Sequence, residues 1–223
     1  MTKEALIQEL IRDGYLKSPL LTEALNAIDR KDFVPRELEN RAYDNKALPI
    51  GFGQTISQPL TVAFMLELLD PRPDEKVLDV GVGSGWQTSL LAYMVSKNPS
   101  STDQEVIHAK VFGLEIVPEL KAIAEENIEK YGFIGRGIVE VLLGDATQGV
   151  PPEMLSPGKF NKIIAAASSP KGIPLAWKKQ LEVGGRIVAP IGKSIFTFDK
   201  HADDVFIKKE YAGFVFVPLI KSK

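Results

Sequence analysis

Apolar residues recur at helical spacing from the start of the chain. Leu6, Ile7, Leu10 and Ile11 form one stripe and Leu21, Ala24, Leu25 and Ile28 a second, so the segment before Asn40 reads as two helices. Ser18-Pro19 marks the second start: the hydroxyl can accept from a free first-turn N–H, and the proline has no N–H to leave unpaired. Arg30 to Pro35 closes this helical unit. From Asp44 to Gln54 turn residues dominate, which predicts an irregular loop or a short hairpin. A further helix starts at Pro59, carries Val62, Met65, Leu66 and Leu69 on one face, and ends before Pro71-Arg72-Pro73.

From Lys76 the pattern changes to short apolar runs alternating with helical stretches, as in a parallel sheet covered on both faces. Strands are expected at Lys76 to Val80, Val111 to Glu115, Val139 to Leu143, Lys162 to Ala166 and Arg186 to Ala189. The intervening helices are expected at Gln87 to Val95, Pro118 to Tyr131 and Pro174 to Leu181. After Gly192 the runs Ser194 to Phe198, Val205 to Tyr211 and Phe214 to Pro218 have no helix between them and predict a closing antiparallel hairpin. The polar stretch Lys97 to Gln104 reads as an insertion that lengthens a connection. The expected fold is an α/β doubly wound sheet in one domain. Residues 1–58 supply N-terminal helices and a loop near the site, and residues 59–223 supply the core.

Composition narrows the chemistry. Of 223 residues 44% are hydrophobic and 25% charged, as in ordinary globular chains. Lys and Arg total 27 against 29 Asp and Glu, which leaves no basic excess to track a phosphate backbone, so nucleic acid is not the expected partner. There is no cysteine and there are only two histidines, His108 and His201; thiolate chemistry is excluded and no metal site is expected. No basic leader or long apolar run is present, so the chain is expected in the cytoplasm, away from membranes.

The segment Val77-Leu78-Asp79-Val80-Gly81-Val82-Gly83-Ser84-Gly85-Trp86-Gln87 is a strand running into a glycine-rich turn and then a helix. Such a turn lets a ligand approach the backbone and aims helix N–H groups at it. A dinucleotide fingerprint would place the third glycine where Trp86 stands. Gly81, Gly83 and Gly85 behind the acidic residue Asp79 instead form the pattern of S-adenosylmethionine methyltransferases, or else simply a tight strand-to-helix connection. Glu115 ends the next strand and either accepts the hydroxyls of a ribose, as a carboxylate suits a diol, or is an ordinary strand end. Asp145, in Gly144-Asp145-Ala146, either bonds an adenine amino group or caps a turn. Gly51 to Pro59 crowds glycines, hydroxyls and amides into one stretch; Thr55 and Ser57 belong to a site or cap the following helix.

These residues carry a resemblance. Arg30-Lys31-Asp32-Phe33-Val34-Pro35, Ala42-Tyr43, Gly53-Gln54-Thr55-Ile56-Ser57-Gln58-Pro59, the turn Gly81 to Gly85, Gly144-Asp145, Gly184-Gly185-Arg186 and Phe216-Val217-Pro218-Leu219 stand in the order of one family. Over nearly its full length the chain resembles protein-L-isoaspartate (D-aspartate) O-methyltransferases. Thr55 to Pro59 is the most specific element, because generic methyltransferases lack it.

The resemblance implies a Rossmann-like methyltransferase fold with S-adenosyl-L-methionine as cofactor and S-adenosyl-L-homocysteine as product. It implies Ser57 as the active-site hydroxyl beside the accepted carboxylate. Gln54, Thr55, Ile56, Ser57 and Gln58 would fold over the cofactor, with Asp79, Gly81, Gly83, Gly85, Glu115, Asp145 and Ala146 completing its site. The implied substrates are isoaspartyl-containing proteins and peptides; a monomer is expected, although nothing in the sequence reads out the oligomeric state. Methylation of the α-carboxylate gives an ester that collapses to succinimide and reopens as aspartate, a repair. A carboxylate is ionised near pH 7, so no strong base is needed and positioning can dominate. The chain departs from the family at Ala165 to Pro170 and at Ala146, positions that bear on substrate preference. Two alternatives stand beside this reading: a methyltransferase for another carboxylate or a small molecule, and a non-catalytic cofactor-binding adaptor.

Overall fold

The computed structural model describes residues 1–97, 110–155, 158–169 and 172–220. The two N-terminal stripes form α1 (Lys3–Arg12) and α2 (Pro19–Ala27). The Ala5 N–H donates to the Thr2 hydroxyl at 3.2 Å and the Leu21 N–H to the Ser18 hydroxyl at 3.3 Å, so each helix satisfies a free first-turn donor locally. Short 3-10 helices at Arg30–Phe33 and Arg36–Arg41 follow. The turn-rich stretch resolves into a hairpin of β1 (Leu48–Gly51) and β2 (Gln54–Ile56). Phe52 and Gly53 sit at its tip with φ of 53° and 70°, the left-handed pair that a two-residue hairpin turn demands. The helix α3 (Pro59–Leu69) leads into the sheet.

The main sheet contains β3 (Lys76–Val80), β4 (Lys110–Glu115), β5 (Val139–Leu143), β6 (Phe160–Ala165), β7 (Leu181–Ile191), β8 (Ser194–Ala202) and β9 (Val205–Ala212), in the order β5-β4-β3-β6-β7-β8-β9. The strands β3 to β7 are parallel; β8 and β9 run antiparallel as the closing hairpin. The helices α4 (Trp86–Ser96), α5 (Pro118–Glu129) and α6 (Leu175–Gln180) fill the connections. Period-2 alternation divides the strand residues between two apolar layers. Val77 and Val111 join α1 to α5 on one face, whereas Leu78, Val80, Phe112 and Leu114 meet Trp177 of α6 on the other. The expected doubly wound sheet is present, and its strand order reverses beside β3. That reversal opens a crevice at the carboxyl edge, where ligands of such sheets bind.

Two expectations are corrected and one lies outside what the structure describes. The strand β7 begins at Leu181 rather than Arg186, and its pairing with β6 jumps from Phe160↔Leu181 to Lys162↔Arg186. Gly184 and Gly185 lie in that bulge; a Cβ at Gly185 would stand 2.7 Å from the Asn161 carbonyl oxygen, so glycines that read as a break let the two strands approach. Phe214 to Pro218 is not a sheet strand. It is an extended tail pinned by the Ser168 N–H to the Val217 carbonyl and by the Leu219 N–H to the Ser168 carbonyl, both at 2.8 Å. Finally, beyond Lys97 the expected insertion lies outside the described residues.

Candidate active site

The strand β3 delivers the chain to its glycine turn at the carboxyl edge. Gly81, Gly83 and Gly85 have φ of 82°, 59° and 96°, a region that L side chains avoid. At Gly85 the second reason is space: a Cβ would lie 2.9 Å from Ile128 Cγ1 and 3.2 Å from the Ala124 carbonyl oxygen. Gly85 therefore lets α4 pack on α5 and does not border the pocket. Asp79, expected in the cofactor site, is also absent from the pocket wall. Strand alternation turns it to the same face as Val77, toward α4, where it is fully buried. There Gln87 Nε2 donates to one carboxylate oxygen at 2.7 Å and the Thr88 hydroxyl to the other at 2.6 Å. Burial pushes its pKa up from 3.8 to about 6 against the pull of those two bonds. Asp79 thus fixes the first turn of α4 from below.

Beside the turn lies a pocket of about 580 Å³, lined among others by Gln54, Thr55, Gly81, Gly83, Glu115 and Ala146. Glu115 ends β4 and is 5% exposed. Its Oε2 accepts from the Gly83 N–H at 2.9 Å, and its Oε1 accepts from the N–H groups of Ile116 at 2.9 Å and Val117 at 3.0 Å. A carboxylate offers roughly four acceptor positions. The carboxylate is therefore locked in place by backbone while keeping capacity on Oε2 for a ligand hydroxyl.

Across the pocket Gly144 and Ala146 form the wall. Asp145 between them is not part of the pocket lining; its Oδ1 accepts from the Thr147 N–H at 2.9 Å and caps the 3-10 turn Ala146–Gln148, the second of its two expected roles. Trp177 Nε1 donates to the Ala146 carbonyl at 2.7 Å and holds this wall from the buried side. The opposite wall is Ala166, Ala167 and the tail Val217 to Ile220. The stretch that departs from the family thus contributes two small wall residues, and its Ser168 anchors the tail. The sequence alone places no part of the tail at the site; its signals are the apolar run Phe214 to Ile220 and the family-ordered Phe216-Val217-Pro218-Leu219.

A smaller pocket of about 330 Å³ shares Thr55, Gly81, Gly83 and Ala166 with the first and adds Ile56, Ser57, Ser84, Trp86 and Gln87. Ser57 therefore borders this polar extension, and Gln58, at the start of α3, borders neither pocket. The Ser84 Oγ and Trp86 Nε1 are buried with no hydrogen-bond partner among the described residues. Buried polar groups are nearly always paired, so these two orphans mark a place where ligand or water completes the bonding. A chamber with a carboxylate suited to a diol thus shares a wall with a smaller one that holds unpaired donors. A further residue missed by sequence reasoning is Arg30: it is 2% exposed, and its guanidinium donates to the Ser57 carbonyl at 3.0 Å.

Comparison with known proteins follows the same line. The family model described as protein-L-isoaspartate(D-aspartate) O-methyltransferase matches residues 1–223. A protein-L-isoaspartate O-methyltransferase of Methanopyrus kandleri is 38% identical over 222 residues, covering 98% of this chain and 91% of the relative. One from Aeropyrum pernix is 40% identical over 219 residues, covering 96% and 78% respectively. The solved beta-aspartate methyltransferase of Plasmodium falciparum, in complex with S-adenosyl-L-homocysteine, is similar in fold, with a TM-score of 0.86 at 23% identity and 100% of each chain covered.

Proposed function

The chain belongs to the protein-L-isoaspartate(D-aspartate) O-methyltransferase family, and from that premise we propose how its own residues carry out methylation of the α-carboxylate of L-isoaspartyl residues in damaged proteins. It is an S-adenosylmethionine-dependent carboxyl methyltransferase. When bound, the cofactor supplies an electrophilic methyl group on a sulfonium. Glu115 would hold the ribose hydroxyls, Gly81 and Gly83 would admit the ligand to the backbone, and Ala146 with Val117 would give an apolar seat to the base. Gln54 and Thr55 cover it from the hairpin side. Asp79, Gly85 and Asp145 act from behind, by keeping the turn and the wall in shape.

The acceptor carboxylate is ionised at neutral pH, so no base has to remove a proton. What remains is alignment: the attacking oxygen, the methyl carbon and the sulfur must lie in line. We assign that task to the Ser57 hydroxyl, which donates to the carboxylate and fixes its approach. With the cofactor bound, its methyl would pass to that oxygen, the C–S electron pair staying on sulfur as S-adenosyl-L-homocysteine, so that ester and spent cofactor would be the two products. The tail Val217 to Ile220 and the alanines Ala166 and Ala167 frame the route for an extended peptide. No helix of the described residues is long and apolar enough to cross a membrane; a cytoplasmic monomer is the form in which this reading places the enzyme. The observation that carries the assignment is Ser57 lining a pocket that shares Thr55, Gly81, Gly83 and Ala166 with the one that holds Glu115.

The test is Ser57→Ala. Loss of the orienting hydroxyl is expected to lower kcat on an L-isoaspartyl peptide by about ten- to a hundredfold, while calorimetry finds cofactor affinity little changed. An unchanged kcat would remove Ser57 from the mechanism.

A further inference from the structure

We propose that Arg30 is a positioning residue for methyl transfer, acting through Ser57. This rests on the role of Ser57 proposed above. Arg30 opens a 3-10 helix at Arg30–Phe33, remote in sequence from the glycine turn. Its guanidinium donates to the carbonyl oxygens of Ala42 at 2.5 Å, Asp44 at 3.4 Å, Lys46 at 3.0 Å and Ser57 at 3.0 Å. The same group lies over the Trp86 ring, with 5.2 Å from Cζ to the centroid. Ser57 and Trp86 are two walls of the smaller pocket, and one rigid cation is the piece that touches both.

The chemistry of the contact is specific to arginine. A planar fork with five N–H donors can reach diverging carbonyls and present its face to an indole at once, whereas a lysine ammonium offers three donors from one point. Burying a cation among neutral carbonyls is expensive, and burial brings its pKa down to about 10, so it stays charged at neutral pH. An arrangement needed only to tie the loop Ala42 to Lys46 would not have to include the Ser57 carbonyl and the first residue of α4. What it does include fixes the separation between the hydroxyl that orients the acceptor and the turn that admits the cofactor. A reaction that depends on alignment is sensitive to this: a displacement of about 1 Å can lower a rate by about a hundredfold.

The experiment compares wild type, Arg30→Lys, Ser57→Ala and the double variant in the full chain, measuring kcat and KM on an L-isoaspartyl peptide and cofactor affinity by calorimetry. Arg30→Lys keeps the charge and removes the fork. The expected result is a fall in kcat of about ten- to a hundredfold, with cofactor affinity little changed. In the Ser57→Ala background the same substitution should have almost no further effect on kcat, because its route of action is already gone. An unchanged kcat, or an equal fall in both backgrounds, overturns the proposal and leaves Arg30 a general structural residue. If Arg30→Lys does not fold, Trp86→Leu replaces it, read at saturating cofactor because Trp86 also lines the smaller pocket: it removes the ring beneath the guanidinium and leaves the four bonds. It should lower kcat severalfold in the wild-type background only, and an unchanged kcat overturns the proposal equally. Wild-type activity is read first, so a chain that does not methylate the isoaspartyl peptide at all exposes a failure of the functional reading rather than of this inference.

Discussion

Replacing Asp79 by Asn tests the claim that this carboxylate supports the glycine turn at an energetic cost. In the native state burial raises its pKa from 3.8 to about 6. The native state therefore holds the proton more tightly than the unfolded chain, and the stabilisation this gives is complete below about pH 4 and lost as the pH rises through 6. Between the two values the loss amounts to about 3 kcal/mol at pH 7 and about 1.5 kcal/mol at pH 5, taking 1.36 kcal/mol per pH unit. Asn is nearly isosteric and can still accept from Gln87; the altered bond to Thr88 adds an offset that does not depend on pH. The assay is urea unfolding of both proteins without ligand at pH 5, 6 and 7. The two proteins differ only at position 79, so the pH dependence of their difference in stability reports on that carboxylate, with Glu115 as its charged neighbour. Relative to wild type, Asp79→Asn should gain about 1–1.5 kcal/mol between pH 5 and pH 7. A difference that is flat with pH would refute the reasoning, because it would mean that the buried carboxylate is not held at the cost the structure implies.

Two further outcomes follow from the site. Glu115→Gln turns an amide N–H toward backbone donors that now meet a carboxylate, and each such charged bond contributes about 1.5–3 kcal/mol. Cofactor affinity by calorimetry should fall by tenfold or more, and retention of full affinity would contradict the role given to Glu115. Gly85→Ala forces a side chain into positive φ against Ile128 and Ala124; strain and overpacking together should lower stability by about 2–4 kcal/mol. A melting temperature equal to wild type would show that α4 and α5 are not in the contact described.

The strand positions were legible because a buried parallel sheet writes itself as short apolar runs, and Lys76 to Val80 and Val139 to Leu143 coincide with β3 and β5. The carboxyl-edge site was legible for the same reason: a strand followed by glycines and a helix has few other folds. The direction of individual side chains was less so. Asp79 reads as a ligand residue at a strand end, yet alternation along β3 turns it under the helix. Asp145 lies between two wall residues and caps a turn through Oδ1. What local sequence did not carry was long-range bonding. Arg30 reaches carbonyls up to 27 residues away, and the tail beyond Phe214 becomes a pocket wall only because Ser168, across the sheet edge, offers it an N–H and a carbonyl. The specificity of Thr55 to Pro59 came from resemblance to a family; composition and spacing left capping and catalysis both open there.

The most direct measurement of the central claim uses a matched pair of peptides, identical except that one carries L-isoaspartate where the other has L-aspartate, incubated with the enzyme and S-adenosylmethionine labelled in the methyl group. The account predicts base-labile label on the isoaspartyl peptide and none above background on its partner. Equal labelling of both, or labelling of neither while calorimetry finds the cofactor bound, would contradict it and turn this site to another acceptor.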